Sequence, residues 1–203
     1  MQKDLNELCE WTSKSLLTLN VSKCKVVSYG KNIAFDSQYT IRNENLEKVD
    51  KIKDLGVTFD KSLKFKEHIS EKISKAYSVI GIIKRNFMHL SEIPFCMLYK
   101  AMIRSQLEYA VLVWCLYRKE DILRIEKVQM RATKLVSSVK KLSYIDRLKK
   151  LKLPTLKFRR LRGDMIEVYK IINLKYDACT AVALGFNKDS KTRGNKNKLI
   201  QNH

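Results

Sequence analysis

Acidic side chains are scarce in this chain of 203 residues: 21 aspartates and glutamates stand against 41 lysines and arginines, a net charge of +20. Such an excess predicts strong attraction to phosphate backbones or anionic membranes, and says nothing by itself about fold. Glycine and proline are also rare, at six and two. Few turns are therefore expected, which favours helices. The five cysteines (Cys9, Cys24, Cys96, Cys115 and Cys179) are odd in number and widely spaced, with no CxxC and no Cys/His cluster. That pattern excludes the closely paired ligands a zinc site needs and reads as free thiols in a reducing compartment. No apolar run is long enough for a membrane span: Tyr109 to Tyr117 reaches roughly half of the ~20 residues required. Met1 leads directly into a charged amphipathic stretch, with no secretory pattern. A soluble intracellular protein, nuclear or cytoplasmic, is expected, without membrane, metal or cofactor.

What is present points to a folded protein. Hydrophobic residues make up 45% and charged residues 31%, enough for one sizeable core or two small ones. Residues 1–50 hold seven basic and seven acidic side chains, so the whole positive excess lies in residues 51–203. Within it, Lys140 to Arg162 carries ten basic residues against one acid, Asp146. Charge concentrated in this way suggests a surface facing a polyanion.

Periodicity predicts an α+β chain. Gln2 to Leu17 reads as a helix with Leu5, Leu8, Trp11 and Leu16 on its apolar stripe. Short β-runs follow: Lys25 to Tyr29, closed by a turn at Gly30-Lys31-Asn32, then Tyr39 to Arg42 paired with Glu47 to Val49 across Asn43-Glu44-Asn45. Leu55 to Phe59 is a further strand, in which Gly56 suggests a bulge or a close backbone approach. From Ser62 the period turns helical. Ile69, Ile73, Ala76, Ile80, Ile83 and Phe87 form one face of a long helix. Ser91, with Glu92 and Pro94 in the first turn, opens a second helix running toward Tyr109. Ile122, Ile125, Val128, Ala132 and Leu135 mark a third. A fourth starts at Ser143 and ends by Pro154, and a fifth carries Leu161, Met165, Val168 and Ile172. A basic polar tail, expected to be poorly ordered, begins at Asp177.

Four blocks occur in a telling order: LLTLNVSKCKVVSYGK (Leu16 to Lys31), KIKDLGVTFDKSLKFKEHI (Lys51 to Ile69), RSQLEYAVLVWCLYRKEDILRIEKVQMRATKLV (Arg104 to Val136) and LSYIDRLKKLKLPTLKFRRLRGDMIEVYKI (Leu142 to Ile171). Together they resemble the C-terminal part of reverse transcriptases of non-LTR (LINE-type, jockey-like) retrotransposons, over about Gln2 to Lys198. The resemblance implies an incomplete β-containing palm remnant with a primer-grip-like hairpin (1–60), a mainly helical thumb-like bundle (61–176) and the tail (177–203). In that family a Tyr-Ala-Asp-Asp hairpin carries the catalytic carboxylates a few dozen residues upstream of the first block. No Asp-Asp pair occurs here, so the resemblance implies a polymerase fragment that keeps its grip and lacks its chemistry. The family's palm lysine corresponds to Lys23, vestigial without those aspartates. Two departures stand out: Ser105 replaces the usual proline, and Thr192-Arg193-Gly194-Asn195 resembles a late motif that ends in His.

The implied contacts to nucleic acid are Gly56 of the grip, Lys61, Lys64, Lys66, Lys72, Lys75, Lys84 and Arg85 of the first thumb helix, and the basic residues Lys149, Lys150, Lys152, Arg159, Arg160 and Arg162. A solvated helix face is the plainer reading of the same charges. Glu108, the acid within a long apolar stretch, is expected to be buried and hydrogen-bonded, and its block (Leu107 to Ala110 with Trp114) to serve packing. Of three functions, an autonomous enzyme fails for want of parts. Two-metal nucleotidyl transfer needs two carboxylates at one focus, and Asp36, Asp50, Asp54 and Asp60 are isolated, while Glu120 and Asp121 are helix neighbours that point apart. The second is a non-catalytic module binding an RNA–DNA hybrid or primer–template. The third is a decayed element, or an interaction module that docks on a complementary polymerase fragment.

Overall fold

Helical periodicity outweighs strand alternation along most of this chain, and the computed structural model is accordingly mixed α+β with helix predominating. It describes residues 1–30, 38–115, 117–177, 182, 184–186, 198 and 200. The Lys31-Asn32 turn, Asp36, Cys179 and the Thr192–Asn195 motif lie outside the described residues. Two compact units result, one of Met1–Ile82 with Met102–Leu116, the other of Ile83–Ala101 with Tyr117–His203. The division read from sequence near residue 60 falls inside the first unit, whose core takes side chains from both sides of that point.

In the first unit, α1 (Gln2–Lys14) is anchored by a polar clasp: the Gln2 amide donates to Thr40 O (2.9 Å) and accepts from Thr40 N (3.0 Å). Its expected apolar stripe lies largely at the surface, with Leu8 and Trp11 exposed, while Thr12 is buried. β1 (Lys25–Val26) pairs in parallel with β4 (Glu47–Lys48). β2 (Thr40–Ile41) pairs antiparallel with β3 (Glu44–Asn45). The hairpin is thus tighter than the sequence suggested, and the Glu47 strand has a different partner. The reason is local: Arg42 and Asn43 both take positive φ (50° and 64°), the signature of a two-residue type I′ turn. β5 (Lys51–Asp54) and β6 (Val57–Asp60) repeat the device, with Leu55 (φ 43°) and Gly56 (φ 78°) between them. Gly56 therefore sits at a hairpin tip instead of forming a bulge within a strand.

α2 (Lys66–Asn86) follows, and its apolar face is buried as expected at Ile69, Ile73, Ala76, Ile80 and Ile83; Phe87, one residue past the helix, is half exposed. Val57, Ile103, Leu107 and Trp114 complete the first unit's apolar interior. The predicted second helix is present from Glu92 to Glu108 without a gap, as α3 (Glu92–Leu98), a π-helical stretch (Tyr99–Arg104) and α4 (Ser105–Glu108).

The second unit centres on α5 (Lys119–Ala132), which buries Ile125, Val128 and Ala132 together with Glu126 and Gln129, and runs into a 3-10 turn at Thr133–Leu135. α6 (Tyr144–Leu151) begins at Ser143, whose side chain accepts from Asp146 N, and ends at Lys152 in the left-handed conformation, two residues before Pro154. α7 (Leu156–Ile172) buries Leu156 and Arg160 and leaves Phe158, Leu161, Met165 and Tyr169 exposed. The fifth helix thus exists, but the Leu161 and Met165 positions expected to bury it face solvent. Among the described residues no helix is long and apolar enough to cross a membrane.

Candidate nucleic-acid interface

Asp60, at the end of β6, organises the loop that follows the second hairpin. Its Oδ1 accepts from Ser62 N (3.0 Å), Ser62 Oγ (2.6 Å) and Lys64 N (3.2 Å), and its Oδ2 from Phe65 N (2.6 Å). Burial would raise this carboxyl, but those donors outweigh it and hold Asp60 below the ordinary carboxylate value. The bonds also secure positive φ at Leu63 (51°) and Phe65 (54°), conformations costly without such support. One consequence is display: Lys61 and Lys64 are exposed on a loop whose backbone is fixed, and Lys66 is exposed where that loop enters α2.

Gly56 is placed differently from the expectation of an open approach for a sugar-phosphate. A Cβ built there would meet the Tyr109 ring at 3.5–3.9 Å, and the Tyr109 hydroxyl donates to Leu55 O at 2.7 Å. A side chain would meet the ring at ordinary contact distance, so what this exposed position asks of glycine is its φ of 78°. The same ring holds a predicted site residue, Lys72, whose Nζ lies 4.9 Å from the ring centroid. Lys72 is 7% exposed, so it is not a side chain on a solvated helix face. Burial first, then the nearby Lys75 and Lys53, push its ammonium below the usual lysine value. Both surroundings have one source: Tyr109 comes from a segment far along the chain that neither local pattern announces.

Beside this stack, His68 is fully buried and packs edge-to-face on Trp114, ring centroids 5.3 Å apart. Its Nδ1 accepts from Thr58 N at 3.2 Å, so the neutral ring carries its proton on Nε2. Burial, with Lys72 second, pushes the imidazole down to about 4. Trp114 donates to Tyr109 O at 2.7 Å, and Leu107 is buried, so the block serves packing as read. Glu108 is only half-buried and pairs with Arg104 at 3.6 Å, one turn back, instead of lying in the core.

The other basic candidates divide. Lys75 and Lys53 share Glu71 (2.8 and 2.9 Å), and these two bonds bring its carboxyl down to about 2. Lys84 and Arg85 are exposed in the last turn of α2. Lys149 and Lys152 are exposed and line one open apolar groove with Ile145, Leu148 and Phe158. Lys150 is committed to Glu92 at 3.3 Å. Arg162 is exposed, Arg159 half-buried, and Arg160 buried. Arg147, also within the basic stretch, is buried and structural: it donates to Thr133 Oγ1 (3.0 Å), Leu142 O (2.8 Å) and Met130 O (3.4 Å). Lys23 is exposed at the end of a 3-10 turn, Val21–Lys23.

A helix N-terminus is a ready place for a phosphate, but that of α7 is filled from within. The Glu126 carboxylate accepts from Leu156 N (3.1 Å) and Lys157 N (3.3 Å) and from the Tyr144 hydroxyl, while Thr155 Oγ1 accepts from Phe158 N (3.1 Å). Burial, then the bond to Glu126, drives the Tyr144 hydroxyl well above its usual value. Asp121 is buried and paired with Arg124 at 3.1 Å. Among the described residues no group of three or more His, Cys, Asp or Glu is arranged to hold a metal.

Two lysines went unnamed as individual candidates in the sequence reading. Lys134 and Lys140 line, with Lys84, a cavity of about 230 Å³ in the second unit. Lys140 opens the basic stretch that runs to Arg162, and no local pattern announces that Lys84 and Lys134 stand beside it. Compared with known proteins, the chain matches no family model, no curated protein and no solved structure.

Proposed function

We propose that this chain is a non-catalytic, reverse-transcriptase-derived module that holds nucleic acid, preferentially a primer–template or RNA–DNA hybrid. The observation that carries the reading is the Asp60-locked loop, which presents Lys61, Lys64 and Lys66 on a fixed backbone beside a tight hairpin. Fixed lysines lose less freedom on meeting a phosphate than mobile ones, and the +20 charge supplies long-range attraction. The hairpin and loop are the counterpart of a primer grip, and the helices after them of a thumb. Gly56 acts here as a turn residue, and the backbone contact to a sugar-phosphate falls to the exposed loop instead. The test is anisotropy near physiological salt, comparing a recessed-3′ RNA–DNA primer–template with a blunt duplex of equal length and charge. A preference of about tenfold (about 1.4 kcal/mol) that drops in Lys64→Ala/Lys66→Ala supports the reading. Equal affinities that survive the double substitution overturn it.

A second reading has its own observation. The exposed row Phe158, Leu161, Met165 and Tyr169 along α7 is more apolar surface than a nucleic-acid contact needs. It favours docking of a complementary polymerase fragment, and it would give concentration-dependent association that Met165→Lys abolishes in analytical ultracentrifugation with such a fragment.

A further inference from the structure

We infer that the cavity lined by Lys84, Lys134 and Lys140 is a pocket for a nucleotide unit bearing a terminal phosphate, an inference that rests on the nucleic-acid reading and names the part of the strand this unit takes. Lys84 lies in the last turn of α2, Lys134 in the 3-10 turn that ends α5, and Lys140 in the segment before α6; Ser137 adds a hydroxyl. The floor is apolar, with Ile83 and Leu90 buried, and Phe87 stands half exposed in the lining. Among the described residues, no ion pair involves any of the three lysines. Glu92, on the neighbouring helix, is already held by Lys150 (3.3 Å) and the Ser138 hydroxyl (3.0 Å).

Lysines at helix C-termini have an ordinary explanation, which is that they offset the helix macrodipole. The size of that offset decides the matter. Each C-terminus is equivalent to about half a negative charge, and Arg85 and Arg131 stand in the same last turns, so the ends of α2 and α5 together account for at most about one of the three lysines. About two positive charges remain without a counterpart in a small, partly enclosed site. A phosphodiester within a strand carries about one negative charge, whereas a phosphomonoester carries about −1.5 to −2 at neutral pH. The charge left over matches the monoester. Lysine suits it as a compact point charge, and the half-exposed Phe87 ring beside an apolar floor suits the flat base attached to it. A strand end and a free mononucleotide share this chemistry, and the strand end is the occupant argued here, because the chain's net charge of +20 favours a polyanion over a single nucleotide.

The test uses the full chain and a short single strand labelled at its 3′ end, carrying either a 5′-phosphate or a 5′-hydroxyl. Wild type should prefer the phosphorylated end by about tenfold. Lys134→Ala/Lys140→Ala should erase that preference, Phe87→Ala should reduce it, and Lys64→Ala/Lys66→Ala should weaken both strands while keeping it. Lys134 and Lys140 are exposed, so an unchanged melt is expected for their variant, and Lys134→Gln/Lys140→Gln serves as a second check on folding. Equal binding of the two strands overturns the pocket and leaves the nucleic-acid reading standing. No binding of either strand overturns that reading, and adenosine monophosphate that then binds wild type but not Lys134→Ala/Lys140→Ala reassigns the pocket to free nucleotides. Phosphatidic-acid vesicles that bind in the same pattern, with no end preference between strands, overturn the inference in favour of a lipid headgroup.

Discussion

His68 sets an acid sensitivity that can be worked out from its surroundings. In the unfolded chain the imidazole titrates near 6.5, and in the fold burial and Lys72 bring it down to about 4. Between those values the unfolded state binds more protons than the folded one. Stability therefore rises with pH through this window and is lost as pH falls from 6.5 toward 4, by up to about 1.4 kcal/mol per pH unit. Glu71 acts lower, between its ordinary value of 4.5 and about 2, so the two effects separate. His68→Asn keeps an acceptor for Thr58 N without a titrating ring. Melts of the variant, followed by Trp114 fluorescence, should change little between pH 6.5 and 4.5, where wild type loses stability. Tyr109 offers a second check at this scale. Tyr109→Phe removes the bond to Leu55 O and should cost about 1 kcal/mol in urea unfolding. A wild-type midpoint would show that the bond contributes nothing to the hairpin. Both effects depend on side chains whose identity was plain in the sequence but whose neighbours were not.

At the scale of elements, α7 depends on a cap supplied by another helix. Glu126 satisfies two backbone donors at its start, and Thr155 a third. Replacing Glu126 by Ala leaves those donors and the Tyr144 hydroxyl without their carboxylate, and should destabilise the protein by about 2–4 kcal/mol. Glu126→Gln retains an acceptor and should cost less, which a pair of denaturant titrations can rank. The existence of α2, α5, α6 and α7 was legible because apolar period, Ser143 and Pro154 all act within a few residues. The hairpins were less legible. Each turn holds one residue suited to positive φ, Asn43 or Gly56, and one that is not, Arg42 or Leu55, so the local signal was half of what a type I′ turn usually carries and pairing supplied the rest. α1 and α7 show the same limit from the other side: their period is helical, yet Trp11 and Met165 stay exposed, because periodicity marks a potential buried face and the presence of a neighbour decides whether it is used.

For the whole molecule, charge and interleaving carry the predictions. Nucleic-acid affinity should fall steeply with salt, the slope of log K against log salt being about −0.7 per neutralised phosphate on a single strand. Lys64→Ala/Lys66→Ala should make that slope shallower by about one to two such increments. A fragment of residues 1–60 should be unfolded, since Trp114, Leu107 and the α2 face lie outside it, and a cooperative melt of that fragment would contradict this assignment of the core.

The sequence by itself determined the helical bias, the main helices, the placement of the charge excess beyond residue 50, and the absence of paired metal-ligating cysteines. Each follows from composition or from spacing within a few residues, where backbone geometry alone sets the outcome. Only the tertiary structure decided that Lys72, Arg147 and Arg160 are buried, that Tyr109 closes over Gly56, and that Lys84, Lys134 and Lys140 share one cavity. A lysine's position in the chain gives its charge. Whether that charge meets water, an aromatic ring or a second lysine depends on segments tens of residues away, and no local pattern encodes the distance.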